Sequence, residues 1–172
     1  MTPAPRLLPL LAALLLAAGC QTTPPLPSAS KDGRVTVIFD QPDKFTDAKS
    51  SFNGSTDQGY LEELQRYIDQ NARGYLADGQ RLKITFTDID MAGDFEPARA
   101  RMTDVRVVKG IYFPRLKFTY IVTNAVNEKV SSGAESLTDM NFMSRLRLNT
   151  TDTLSYEKDM LRDWMADNLR KK

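Results

Sequence analysis

Histidine is missing from this 172-residue chain altogether. Its absence excludes Ser-His-Asp and Cys-His catalysis and every His-ligated metal site. It also removes the side chain best suited to proton transfer near neutral pH. Cysteine occurs once, as Cys20, so no disulfide forms within the chain and stability rests on packing. A charge excess of either sign is missing too, since 23 basic residues face 22 acidic ones. Removal of residues 1–19 takes away only Arg6 and leaves 22 of each, a net charge of zero. No basic field gathers nucleic acid by counterion release, so a nucleic-acid partner is not expected. The apolar run Leu7–Ala18, interrupted at Pro9, is far shorter than the roughly 20 residues that cross a bilayer.

That short run has informative flanks. Met1 to Arg6 carries one positive charge, and Ala17-Ala18-Gly19 supplies small residues just before Cys20. Charged start, apolar middle and small-residue cleavage site form the layout of an export signal. Leu16-Ala17-Ala18-Gly19-Cys20 also resembles the bacterial lipobox, although Ala17 stands where Leu is usual. In that family the cysteine is lipidated and becomes the first mature residue. One acyl chain holds a protein only marginally, whereas several make attachment effectively permanent. Gln21 differs from the Asp that resembles an inner-membrane retention signal, which implies the outer membrane with the domain facing the periplasm. Pro24, Pro25 and Pro27 then stiffen an extended tether. The expected organisation is a signal peptide over 1–19, a lipidated cysteine and tether over 20–32, and one domain over 33–172.

Within the domain, Val35, Val37 and Phe39 alternate as a first strand. Ser55-Thr56-Asp57-Gln58 fits a capping box with Ser55 as the cap. Tyr60, Leu61, Leu64, Tyr67, Ile68, Ala72, Tyr75 and Leu76 follow at helical spacing, predicting an amphipathic helix that ends near Gly79. Leu82, Ile84 and Phe86 give a second strand, expected to lie parallel to the first across a right-handed crossover. Val105 and Val107 mark a short further strand, and Gly110 to Pro114 a kink. Leu116, Phe118, Tyr120 and Val122 alternate most clearly, and Lys129–Thr138 returns antiparallel as a more polar strand. Asp152 or Thr153 caps a last helix with Leu154, Leu161, Trp164, Met165 and Leu169 as its buried stripe. The main elements run β-α-β-β-β-α. The expected fold is a single α+β domain, with two helices packed on one face of a mixed, mostly antiparallel sheet.

The stretch Asp88-Ile89-Asp90-Met91-Ala92-Gly93-Asp94-Phe95-Glu96-Pro97 resembles the signature of a bacterial family, domain of unknown function 3016. Asp104-Val105-Arg106-Val107-Val108, Tyr112-Phe113-Pro114-Arg115, Tyr156-Glu157-Lys158 with Asp163-Trp164, and Val35 to Phe45 with Lys44-Phe45-Thr46-Asp47 are similar in the same order. Phe113 departs from the pattern, where a second proline is expected. The resemblance spans about Val35 to Leu169. It implies an exported or lipid-anchored protein of Gram-negative bacteria and no activity, substrate or catalytic residue.

The acidic stretch admits three chemistries. Calcium wants several oxygens, which Asp88, Asp90, Asp94 and Glu96 would supply. With Asp88 at position one of an EF-hand loop, Asp90 and Gly93 fit positions three and six, but Ala92 and Arg99 occupy positions five and twelve, where ligands are needed. Paired carboxylates would also suit a glycosidase-type hydrolysis across about 5–10 Å. The default is structural: the acids leave the end of a strand and pair with Arg99, Arg101, Arg106 and Arg115, fixing the loop. A parallel reading has Arg106 and Arg115 clasp an anionic ligand. Asn149-Thr150-Thr151 matches a glycosylation acceptor pattern that means little in a bacterial envelope. No cofactor and no metal are expected. The functional expectation is a non-enzymatic, lipid-anchored domain that binds an envelope protein or ligand or supports assembly. Its rival is a calcium-binding or carboxylate-based hydrolytic module at Asp88–Glu96.

Overall fold

A computed structural model describes residues 28–29, 33–51, 54, 56–96, 105–145 and 152–169. Cys20, Arg99, Arg101 and the Asn149-Thr150-Thr151 pattern lie outside the described residues. The strands are β1 (Ser28–Ala29), β2 (Val35–Phe39), β3 (Arg81–Asp90), β4 (Arg115–Thr123) and β5 (Lys129–Thr138). The helices are α1 (Gln58–Ala72) and α2 (Ser155–Asn168). Four full strands and the two-residue β1 form one sheet in the order β1-β2-β3-β4-β5. Only the β2–β3 pair, joined through α1, is parallel. The fold is α+β with the order β-α-β-β-β-α, as its patterning predicts. Ser28–Ala29 falls in the stretch expected as tether, and it pairs with Thr36 and Val37 at the edge of the sheet.

The sheet buries one face. Val35, Val37, Leu82, Ile84, Phe86, Leu116, Phe118, Tyr120 and Val122 point inward, as period-two alternation requires. α1 closes over them with Leu61, Leu64, Ile68 and Ala72, and α2 with Met160, Leu161, Trp164 and Met165. Trp164 sits at the centre: its ring meets Phe118 edge-on at 4.8 Å and Tyr120 at 5.1 Å. Tyr120 in turn lies over Gly133 on β5, where an added Cβ would come within 2.8 Å of its ring.

Several boundaries differ from the sequence expectation. The cap of α1 is Asp57, whose Oδ1 accepts the Gly59 N–H at 2.7 Å. A shorter cap-to-helix step competes here with the Ser55 box, because Asp57 reaches the orphan donors of the first turn. The helix stops at Ala72 rather than near Gly79, since Gly74 and Tyr75 N–H groups turn back to Asn71 and Ala72 in tighter bonds. Gly74 is a weak helix former, and the chain leaves the helix just before it. Neither Asp152 nor Thr153 caps α2: the cap position is Leu154, which has no side-chain capping bond, and Asp152, three residues before the helix, accepts the Leu154 N–H at 3.0 Å in the turn that leads into it. Val105 and Val107 form no strand. Val107 makes a single antiparallel bridge to Asp94, and Val105 stays exposed.

The largest departure lies in β3, which runs on to Asp90. The register shifts between Phe86 and Asp88, so Thr87 is an extra residue, a β-bulge. Phe86 faces Phe118, whereas Asp88 faces Lys117, Ile89 faces Leu116 and Asp90 faces Arg115. Ile89 and Met91 thereby stay in the core while both acids turn to the outer face.

Trp164→Ala should destabilise the domain by about 3–5 kcal/mol in denaturant unfolding. Trp164→Phe should cost distinctly less, because the buried indole N–H has no hydrogen-bond partner among the described residues. Equal losses for the two variants would contradict this account of the core.

Candidate functional site

The end of β3 and the segment Phe45–Lys49 lie side by side. Asp47 N–H donates to the Ile89 carbonyl at 2.9 Å and Met91 N–H to the Asp47 carbonyl at 3.0 Å, a parallel bridge beyond β2. Phe45 and Ala48 are buried and Thr46 is exposed, while Asp47 and Lys49 are half-buried. A third segment, Arg106–Arg115, closes the region. Asp94 and Val107 exchange both backbone hydrogen bonds, and Gly93 N–H donates to the Tyr112 carbonyl. Gly93 has φ +84°, and an added Cβ would meet Arg106 and the Val107 carbonyl at 3.0 Å, so the turn needs glycine.

Three of the four predicted carboxylates end on cations. Asp88 accepts the Lys117 ammonium at 3.0 Å, together with the Thr46 N–H at 2.8 Å and hydroxyl at 3.1 Å. Asp90 accepts Arg115 at 2.9 Å. Glu96 takes the Lys109 ammonium and, at 3.2 Å, the Tyr112 hydroxyl. Asp94 closes its own turn, with Oδ1 accepting the Phe95 N–H at 2.7 Å. The structure thus distributes these acids over separate partners. Among the described residues no three of His, Cys, Asp and Glu form a set that would hold a metal ion.

Arg106 does not meet any of those four acids. Its guanidinium forks onto Asp47 at 2.6 and 3.1 Å, and donates to the Gly93 and Lys49 carbonyls at 2.9 Å each. It also lies over the Phe95 ring at 4.6 Å. One buried side chain therefore ties the three segments together, as a planar fork with five donors can. Glu157 does the same from below. It is fully buried near the start of α2, and its Oε1 accepts the Ala92 N–H at 2.7 Å. Arg115 stacks on Phe113 at 4.3 Å while holding Asp90.

Between these segments opens a cleft of about 330 Å³. Lys49, Ser51, Asp90, Asp94, Tyr112, Phe113 and Arg115 contribute to its lining, and Ile111 stands exposed on its rim. Lys49 and Asp94 make no ion pair with any described residue. The cleft is amphoteric: it offers an ammonium, most of a guanidinium and a carboxylate beside aromatic surface. Its size is at the lower end for small-molecule sites, about 300–1,000 Å³.

Sequence reasoning singled out Arg106 and Arg115 but not the partner of Arg106. Asp47 and Glu157 enter the sequence reading only as members of the family-like motifs, with no role, and Lys49, Lys109 and Lys117 do not enter it. A signal existed for Glu157, which falls at a stripe position between Leu154 and Leu161, an acid on an apolar face. Lys117 became legible only once the bulge set Asp88 opposite it.

The two strand acids titrate in opposite directions. Burial pushes Asp88 upward, but the hydrogen bonds from Thr46 and Lys117 outweigh it, so its carboxyl lies below the ordinary value. Burial also raises Asp90. Arg115 opposes that and the nearby Asp47 charge adds to it, and the carboxyl stays above the ordinary value. Asp88 therefore contributes stability above the usual carboxylate range, lost as pH falls through its folded value. The contribution of Asp90 is present below that range and lost as pH rises through its folded value.

A family model described as "Protein of unknown function (DUF3016)" matches residues 33–167. Neither the curated proteins nor the solved structures contain a match.

In a carboxyl-resolved NMR titration, Asp88 should protonate at a lower pH than Asp90, and the reverse order would refute the assigned environments. Arg106→Ala and Arg106→Lys should each destabilise the domain by about 3 kcal/mol, because Asp47 and two carbonyls lose a forked donor that an ammonium does not replace. Full stability in the lysine variant would count against the forked clasp.

Proposed function

The chain belongs to the DUF3016 family of proteins of unknown function, and from that premise we propose that it is a lipid-anchored, non-enzymatic binding domain of the bacterial outer membrane, facing the periplasm. Cys20 carries the lipid, residues after it lift the domain from the bilayer, and the cleft beside β3 receives an envelope component. The observation that carries the binding reading is the disposition of charge around the cleft. Asp88, Asp90 and Glu96 are engaged by Lys117, Arg115 and Lys109, so their shape-keeping role is served by internal cations. Lys49 and Asp94 form no ion pair among the described residues, and in this reading they are the charges that meet the ligand.

The amphoteric lining favours a partner that presents both charges, such as a peptide segment, with apolar contact to Ile111 and Phe113. The rival uses of this stretch ask for carboxylates free to gather around calcium or to flank a scissile bond. The pairing of three acids with ammonium and guanidinium groups supports neither.

Location and binding separate experimentally. On cell fractionation the intact protein should follow the outer membrane, and Cys20→Ser should appear in the soluble periplasm; a Cys20→Ser chain that stays equally membrane-bound would refute the anchor. A photoreactive residue at Ile111 should give a crosslinked adduct that Lys49→Glu removes, while the same probe at Lys83, on the outer sheet face, should give none. Saturating calcium should leave the thermal midpoint unchanged, since only a ligand of the folded state raises it. A clear rise would return the metal reading to the front.

A further inference from the structure

Both helices pack on the inner face of the sheet, and its outer face carries exposed side chains. The ladders place these chains in rows. Lys83 lies beside Ile121, and Ile121 beside Ser132. Arg81 lies beside Thr123, and Thr123 beside Lys129. Arg81, Lys83 and Lys129 therefore share one end of the outer face. None of the three forms an ion pair with a described residue, and Arg81 donates only to the Asn127 side chain, at 3.1 Å. At the other end Lys117 and Arg115 take up Asp88 and Asp90. The acids Asp40, Asp78 and Glu128 stand in the connections beyond the strand ends. Ile121, Val130 and, in the β4–β5 turn, Val126 are exposed beside the cationic end. The helical layer has the opposite balance: α1 and α2 hold seven acidic residues against three basic ones. The chain is nearly neutral as a whole, yet its charge is sorted by layer.

We propose that the Arg81 end of this outer face is a docking surface for an anionic lipid bilayer. Cations beside exposed aliphatic side chains are the combination an interfacial contact uses: the charges are drawn to the lipid headgroups and the aliphatic chains leave water. The neighbouring side chains are short, Thr119, Ser132 and Ala134, so the face is level and suits a plane better than a ridged protein surface. The acidic excess of the helical layer is repelled by the same headgroups, which fixes which side of the domain turns to the bilayer. The inference rests on the proposed anchor at Cys20. Cys20 to Pro27 reaches at most about 29 Å, and β1 joins the sheet at its edge, so the tether holds this face within reach of the membrane. A few charges alone hold a domain weakly, each Lys or Arg favouring contact about fivefold. Tethering raises the effective concentration and makes such a contact count. The release of Cys20→Ser to the periplasm is consistent with that. The partner is lipid, so a photoreactive group on this face meets no protein.

Fluorescence quenching in vesicles tests the face. Cys20 is the only cysteine and is acylated in this reading, so Ile121→Cys supplies the single free thiol for a fluorophore. The lipidated chain, purified from membranes, is placed in vesicles whose headgroups carry a nitroxide quencher. With roughly 30% phosphatidylglycerol in phosphatidylcholine, the label at Ile121→Cys should be quenched at least about fivefold more than one at Glu62→Cys, an exposed position of α1. The difference should vanish in pure phosphatidylcholine and in about 0.5 M salt. Lys83→Glu together with Lys129→Glu should abolish it, and Lys83→Arg together with Lys129→Arg should keep it. Equal quenching of the two labels, a difference that survives in pure phosphatidylcholine, or no loss on charge reversal would each overturn the docking face. A protein adduct from a photoreactive residue at Lys83 would do the same. Two labels per chain instead mark an unlipidated Cys20 and overturn the anchor itself, and the docking face with it.

Discussion

The extra residue at Thr87 is the constraint on which the rest of this domain depends. Through Phe86 the inward positions of β3 are even-numbered, and beyond the bulge they are odd. A regular strand would have carried Asp88 and Asp90 into the core and turned Ile89 and Met91 outward, because a one-residue slip inverts every side chain that follows. Burying two carboxylates without partners costs far more than a distorted ladder. The bulge keeps the apolar phase intact, and the Thr87 hydroxyl reaches the Lys117 carbonyl at 3.3 Å where the ladder is disturbed. It also delivers the two acids to the outer face, where β4 presents Lys117 opposite Asp88 and Arg115 opposite Asp90. The charge pairs of the site are thus a consequence of how the core protects its own alternation.

Two buried polar groups then hold the irregular chain that follows. Glu157 fixes the Ala92 N–H from the helix side, and Arg106 binds Asp47 and two carbonyls from the other. Segments without regular hydrogen-bond ladders need such outside partners, since a buried N–H or carbonyl left alone is expensive. The cleft walls are therefore set by side chains from distant parts of the sequence, 59 residues apart for Arg106 and Asp47 and 65 for Glu157 and Ala92.

What the sequence disclosed follows physical lines. The alternation of Leu116–Val122 and the stripe of Leu154–Leu169 were legible because one face of each element is apolar at the period of that element. Trp164 could be placed in the core on that ground alone. The bulge was not legible as such. A phase change from Ile84 and Phe86 to Ile89 and Met91 reads equally as a strand that ends and a loop that begins, and the second reading put Asp88 and Asp90 in a loop. Arg106 could be singled out as a cation near acids, but its choice of Asp47 depends on a parallel bridge between segments forty residues apart, which no local pattern encodes. The single bridge at Val107 likewise gave two alternating valines the look of a strand.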